Sequence, residues 1–144
     1  MHWQKNSFTI DTEKSKLDIE YIHAFLSQSY WAENIPLPIV ERSIEGSLCF
    51  GVYELEKQIG FARVITDGAT FAYLADVFID MSYRGRGLSK WLMECILSYP
   101  SLQGLRRFML ATKDAHNLYV QFGFTPLTFT DRWMHRHQPD IYKR

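Results

Sequence analysis

Val77-Phe78-Ile79-Asp80-Met81-Ser82-Tyr83-Arg84-Gly85-Arg86-Gly87-Leu88-Ser89 runs from a β-type segment, through a glycine-arginine turn, into a helical one. Gly85 and Gly87 permit backbone conformations closed to other residues, so successive N–H groups can converge on one anion. The helix that starts at Leu88 adds its positive dipole end, and Arg84 and Arg86 add guanidinium donors suited to phosphate. A tight turn alone would need the same glycines, so the surroundings must decide. The turn lacks the Gly-Lys-Ser/Thr ending of a triphosphate loop, and it lacks the third glycine and downstream acid of a dinucleotide fold.

Outward from the turn, Leu88, Trp91, Leu92, Cys95, Ile96 and Tyr99 recur at helical spacing, which predicts an amphipathic helix ending before Pro100. Residues 48–53 and 59–65 are rich in aromatic and β-branched residues around a polar turn, a β-hairpin pattern. Asp67-Gly68 turns the chain into a third strand, 70–79, with Asp76 inside it. Residues 107–111 read as a strand parallel to 70–79, because a helix makes the crossover. A short helix follows, with Asp114 as its expected cap and Gly123 as its close. Phe124 to Thr130 reads as a last strand. Near the start, 8–10 suggests a short strand, 17–29 a first helix, and 38–44 a second helix with Pro38 in its first turn and Gly46 at its end.

With 144 residues and 47% hydrophobic content, the chain suits one compact domain over 1–144. Sixteen basic residues balance sixteen acidic ones, so no global field recruits nucleic acid or an anionic membrane. The longest apolar runs are too short to span a bilayer, and the first residues lack a signal core. Cys49 and Cys95 lie in apolar surroundings, reading as buried thiols of a reducing compartment. A soluble cytoplasmic protein is the expectation. His135 and His137 have metal-like spacing without further ligands, so no metal site is expected.

The order of elements, with Val77-x-Ile79, then Tyr83-Arg84-Gly85-Arg86-Gly87, then Leu118-Tyr119 and Phe122-Gly123-Phe124, resembles the GNAT superfamily of acetyl-CoA-dependent N-acetyltransferases. The resemblance spans roughly residues 8 to 131. It implies an α/β (α+β) GNAT-like fold: a mixed, mostly antiparallel sheet of six or seven strands with four helices. It further implies that the amides of Arg84, Gly85, Arg86, Gly87, Leu88 and Ser89 bind the pyrophosphate of acetyl-CoA. The backbone of Val77 and Ile79 would pair with the pantetheine arm, and Tyr119 would lie at the thiol. The chain departs from the family pattern at Ser82, where Gln or Arg is usual, at Thr112, where Asn is common, and at Tyr73, where some members carry a glutamate base.

The chemistry can be weighed from the residues. Freeing an alkylamine of its proton at pH 7 costs roughly 4–5 kcal/mol, so proton removal matters. A phenol of ordinary pKa is a weaker acid than the leaving thiol, so Tyr119 is assigned first as a hydrogen-bond donor to the thiolate. Asp76, an acid inside an apolar strand, is the leading base; pairing with Arg63 and a base acting through water are the alternatives. A backbone N–H of Val77 or Phe78 would polarise the thioester carbonyl. Tyr30, Trp31, Glu33 and Tyr73 form either an acceptor pocket for a cationic amine or ordinary core. His116 reads as solvent-facing or capping. The expected partner is a small-molecule or peptide amine, and a homodimer through a sheet edge or the tail is open. A non-catalytic acyl-CoA-binding module is the alternative function.

Overall fold

The computed structural model describes residues 1–144. Six strands form one sheet in sequence order: β1 (His2–Lys5), β2 (Phe8–Asp11), β3 (Leu48–Glu54), β4 (Lys57–Thr66), β5 (Phe71–Ile79) and β6 (Arg107–Leu110). Neighbours are antiparallel except β5 and β6, which run parallel as the helical crossover requires. Helices α1 (Ile19–Ser27) and α2 (Leu37–Glu45) connect β2 to β3; α3 (Leu88–Ser98) connects β5 to β6, and α4 (His116–Val120) follows β6.

Two cores sandwich the sheet. On one face Phe50, Val52, Ala62, Val64, Ala72 and Leu74 pack with the α3 stripe, in which Leu88, Leu92, Met93, Cys95 and Ile96 are all buried. On the other, Cys49, Phe61 and Phe78 meet Ile22, Leu26, Val40 and Ile44 of α1 and α2. Full burial of each Val, Leu, Ile, Phe or Met among these contributes roughly 1.5–3 kcal/mol. Phe25 stacks on Phe78 with ring centroids 3.8 Å apart, fixing α1 against the far end of β5.

Two features of the sheet shape the site. First, β6 pairs with β5 only from Phe71↔Arg107 to Leu74↔Leu110, so the edge of β5 from Ala75 to Ile79 has no strand beside it. Second, β5 bulges against β4 at Asp76, whose φ is +54°. The extra residue shifts the alternation, so Leu74 and Ile79, five apart, face the same core. Gly60 lies beneath this end, where a Cβ would come within 2.8 Å of the Phe78 carbonyl oxygen and Ile79 Cδ1.

Two local expectations are corrected, and one strand is added. Residues 124–130 form no strand: Phe124 packs edge-on against Phe108 and Tyr119, Pro126 offers no N–H, and Phe129 turns at φ +53°, so the backbone leaves β6 unpaired on that side. Asp114 does not cap α4; Thr112 Oγ1 accepts the Ala115 N–H at 3.1 Å instead. The added strand, β1, pairs with the β2 edge, with register His2↔Asp11 to Lys5↔Phe8, and its Trp3 stacks on Phe50.

Candidate active site

The glycine turn is built to leave donors unspent. Gly85 (φ +81°) and Gly87 (φ +77°) are both left-handed, and Gly87 caps α3 without a side-chain hydrogen bond. The first amide returned to the helix is Trp91 N–H, donating to Gly87 C=O at 3.1 Å; the amides of residues 85–90 donate to no protein acceptor. A Cβ at either glycine would meet no atom within 4 Å, so no protein atom crowds the turn there. Six unspent donors at a helix N-terminus fit a diphosphate.

The lead-in to this turn is braced. Asp80 accepts from Ser82 N–H and Ser82 Oγ–H at 3.1 and 2.8 Å, and from the Tyr21 hydroxyl at 3.2 Å. These bonds, Ser82 first, hold the Asp80 carboxyl below its usual pKa, while burial and then Asp80 push the Tyr21 phenol upward. The Tyr83 hydroxyl donates to Glu54 at 2.8 Å, and Arg86 lies over the Tyr83 ring at 5.2 Å. Ser82, at the position where the GNAT pattern has a longer side chain, is therefore spent on the Asp80 carboxylate here. Arg84 is exposed and donates through Nε to Ile79 C=O at 3.3 Å.

Where β5 and β6 part, a cavity of about 590 Å³ opens between Tyr30, Trp31, Tyr73, Asp76, Val77, the 110–115 segment and Tyr119. Its depth is set by a polar chain. Trp31 Nε1–H donates to Asp76 Oδ1 at 2.8 Å, and Arg63 Nε–H donates to Asp76 Oδ2 at 2.6 Å. Arg63 continues to Ser47 Oγ at 3.1 Å, and Ser47 in turn donates to Ser43 C=O. Asp76, expected as a base, thus has both oxygens engaged and pairs with Arg63. Its side chain is 8% exposed, and that of Arg63 17%.

Tyr119 is 8% exposed, and its hydroxyl makes no hydrogen bond within the protein. Burial first, then the neighbouring Tyr30 and Asp114, push its pKa up to about 12. Tyr119 also lines a second cavity, of about 710 Å³, between β6 and residues 122–128, so the residue is common to both. Tyr30 and Trp31 meet edge to face at 5.1 Å on a loop that Ser29 ties by donating to Leu26 C=O and accepting Ala32 N–H. Tyr30 crosses the mouth: its hydroxyl accepts Lys113 N–H at 3.2 Å, and the Lys113 ammonium sits 5.4 Å from its ring centre.

Of the acceptor residues read from sequence, Tyr30, Trp31 and Tyr73 are brought together, while Glu33 is exposed and outside the cavity lining. His116 is exposed and faces the second cavity only. Missed in the sequence were the Trp31–Asp76 bond, spanning 45 residues, and Tyr142, which reaches the first cavity from the far end of the chain. No periodicity or motif marks either.

Residues 15–124 match the acetyltransferase (GNAT) family. The chain belongs to that family. Acetyl transfer is the activity this membership carries, and acetyl-CoA the donor the family generally uses. A GNAT-family protein of Xanthomonas campestris, described as a "putative acetyltransferase", is 52% identical and superposes with a TM-score of 0.93, covering 95% of this chain and 97% of that one. A Gibberella zeae protein with the same description is 31% identical over 141 residues, 82% of this chain and 78% of that protein. A Clostridium acetobutylicum protein, solved with acetyl-CoA, shares the fold at a TM-score of 0.67 and 12% identity, with 90% and 96% of the chains covered. No helix in the GNAT protein described here is long and apolar enough to cross a membrane.

Proposed function

We propose that this protein moves the acetyl group of acetyl-CoA to a primary amine by direct attack, with both substrates bound together. The observation that carries the reading is the coincidence of unspent amides at 85–90 with an unpaired β5 edge leading to Tyr119. The amides would hold the pyrophosphate, with Arg84 and Arg86 at its rim; the backbone of Val77, Phe78 and Ile79 would pair along the pantetheine arm. Bound acetyl-CoA supplies an activated thioester whose sulfur is the leaving group.

Tyr119 remains a neutral phenol across the ordinary pH range. With its pKa near 12 against about 8.5 for a thiol, full proton donation is uphill by roughly 5 kcal/mol. Its role is therefore to donate a hydrogen bond to the departing thiolate, and its otherwise unpartnered hydroxyl suits that role. Asp76 is a positioning residue: taking a proton there would dismantle the pair with Arg63 and release Trp31. The amine proton leaves through water. Neither thiol is suited to carry the acetyl group, because burial raises Cys49 to about 11 and Cys95 to about 12. Neither cysteine lines either cavity.

A coenzyme A release assay across a library of primary amines, with the product identified by intact mass, tests the proposal. Turnover of at least one amine with a mass gain of one acetyl group is expected. A protein that binds acetyl-CoA yet acetylates nothing in a broad library would be a binding module instead.

A further inference from the structure

From residue 125 to 144 every side chain is exposed except one. The segment carries Phe129, Trp133, Met134 and Ile141 on the outside, and is held to the sheet by the Arg107 guanidinium 4.7 Å from the Trp133 ring centre. The exception is Tyr142. Two successive turns, Ile141 N–H to Gln138 C=O at 3.2 Å and Lys143 N–H to Asp140 C=O at 3.0 Å, turn the chain back so that this residue lines the cavity at the β5–β6 split. A largely polar tail that leaves Phe129, Trp133, Met134 and Ile141 exposed while seating one tyrosine in a cavity is not burying surface for stability. The Tyr142 side chain makes no hydrogen bond within the protein, so what it brings to the lining is an aromatic ring and a free hydroxyl.

The lining has a definite chemistry. Arg63 and Asp76 neutralise one another within hydrogen-bond distance, and Lys113 and Asp114 bring one charge of each sign. No net charge therefore selects the ligand, and the aromatic rings decide. One of these rings already carries a cation, since the Lys113 ammonium lies 5.4 Å from the centre of Tyr30. Trp31, Tyr73 and Tyr142 are the other aromatic residues lining the cavity and carry no such cation.

We propose that Tyr142 is a wall of the acceptor subsite, and that this subsite binds the charged head of an alkylammonium against aromatic faces, with Tyr142 supplied from the far end of the chain. The inference extends the acetyl-transfer reading by naming which acceptors dock, and binding can be measured without any transfer. Cation–π contacts at a half-exposed site are worth roughly a three- to thirtyfold change in affinity.

The experiment compares n-butylammonium, n-butanol and butyrate as ligands by saturation-transfer NMR on the full chain, for the parent protein and for Tyr142→Ala, Tyr142→Phe and Met134→Ala. Butylammonium should bind better than the other two. Tyr142→Ala should weaken it roughly three- to thirtyfold, Tyr142→Phe should retain it, and Met134→Ala, a neighbour on the same segment that is 96% exposed, should leave it unchanged. Equal binding of the three ligands, preference for butyrate, or a Tyr142→Ala variant that binds butylammonium like the parent would overturn the inference. Melting temperature is recorded alongside, so that a Tyr142→Ala variant with lost binding and a lowered melting point counts against the inference unless Tyr142→Phe restores both. Ammonium binding without turnover would defeat the transfer reading while leaving this inference standing; turnover of an amine that Tyr142→Ala binds and acetylates equally well would do the reverse.

Discussion

Changing Asp76 to asparagine probes the polar chain that shapes the reactive end. Asparagine tolerates the left-handed φ of +54° and nearly matches the side chain in shape, so the change removes charge and little else. The Arg63 guanidinium, 17% exposed, is then left without its anion. Breaking a buried pair by removing one partner costs roughly 3–5 kcal/mol. Trp31 is 43% exposed, so its N–H can turn to water and adds little to this cost. At about 3 °C per kcal/mol for a chain of this size, the melting temperature should fall by roughly 10 °C or more. Arg63→Met alone should also destabilise, and the double variant should recover most of the loss, giving a coupling energy of about 3 kcal/mol or more. Thermal melts and urea titrations of the four proteins measure this cycle. Losses below about 1 kcal/mol, or single losses that simply add, would refute the reasoning. The kinetics separate two roles for the same residue. A positioning residue should raise the acceptor KM as Trp31 loosens, whereas a general base should lower kcat by about 10²–10⁴ with KM little changed.

Tyr119→Phe should lower kcat by about tenfold or more while leaving acetyl-CoA affinity within a factor of two, measured by stopped-flow and calorimetry; unchanged kcat would remove the phenol from the mechanism. Because burial holds the Tyr119 phenol near 12, the pH–rate profile should rise with the acceptor amine and show no Tyr119 limb below pH 10; a falling limb near 9 that vanishes in Tyr119→Phe would contradict this. Gly87→Ala adds a methyl group on the open side of the turn at φ +77°; about 1–2 kcal/mol of backbone strain and at least a tenfold loss of acetyl-CoA affinity should follow, read by melting and calorimetry. Asp67 accepts from the Thr70 hydroxyl and from the N–H groups of Thr70, Ala69 and Phe71, which hold its folded pKa well below the usual 3.8. That stabilisation is present above the unfolded value and is lost as pH falls through the folded one. The gap in melting temperature between the parent and Asp67→Asn should therefore narrow progressively below about pH 4; a constant gap from pH 7 to pH 2 would refute it.

The parts legible in the sequence are those whose cause is local. The α3 stripe, the hairpin of β3 and β4, the Asp67-Gly68 turn and the glycine cradle each follow from side chains a few residues apart. Asp114 does not cap α4 although its residue type suits the role: the path of the chain after β6 leaves the helix without a side-chain cap and gives the Ala115 N–H to Thr112 in the preceding turn. The expected strand at 124–130 fails for a related reason. Its composition suits a sheet, yet Phe124 is drawn to Phe108 and Tyr119, and Pro126 and Phe129 carry the backbone away.

Read alone, the residue order determined the family pattern, the anion-binding turn and the presence of a tyrosine on the short helix after β6, because hydrophobic period and glycine conformation act over one or two turns of chain. Tertiary structure alone decided that Asp76 is tied to Arg63 and Trp31, that Glu33 stands outside the cavity and that Tyr142 stands inside it. Those outcomes depend on which charges and rings come within a few ångströms once the sheet has closed, and side-chain forces of that range leave no trace in sequence spacing.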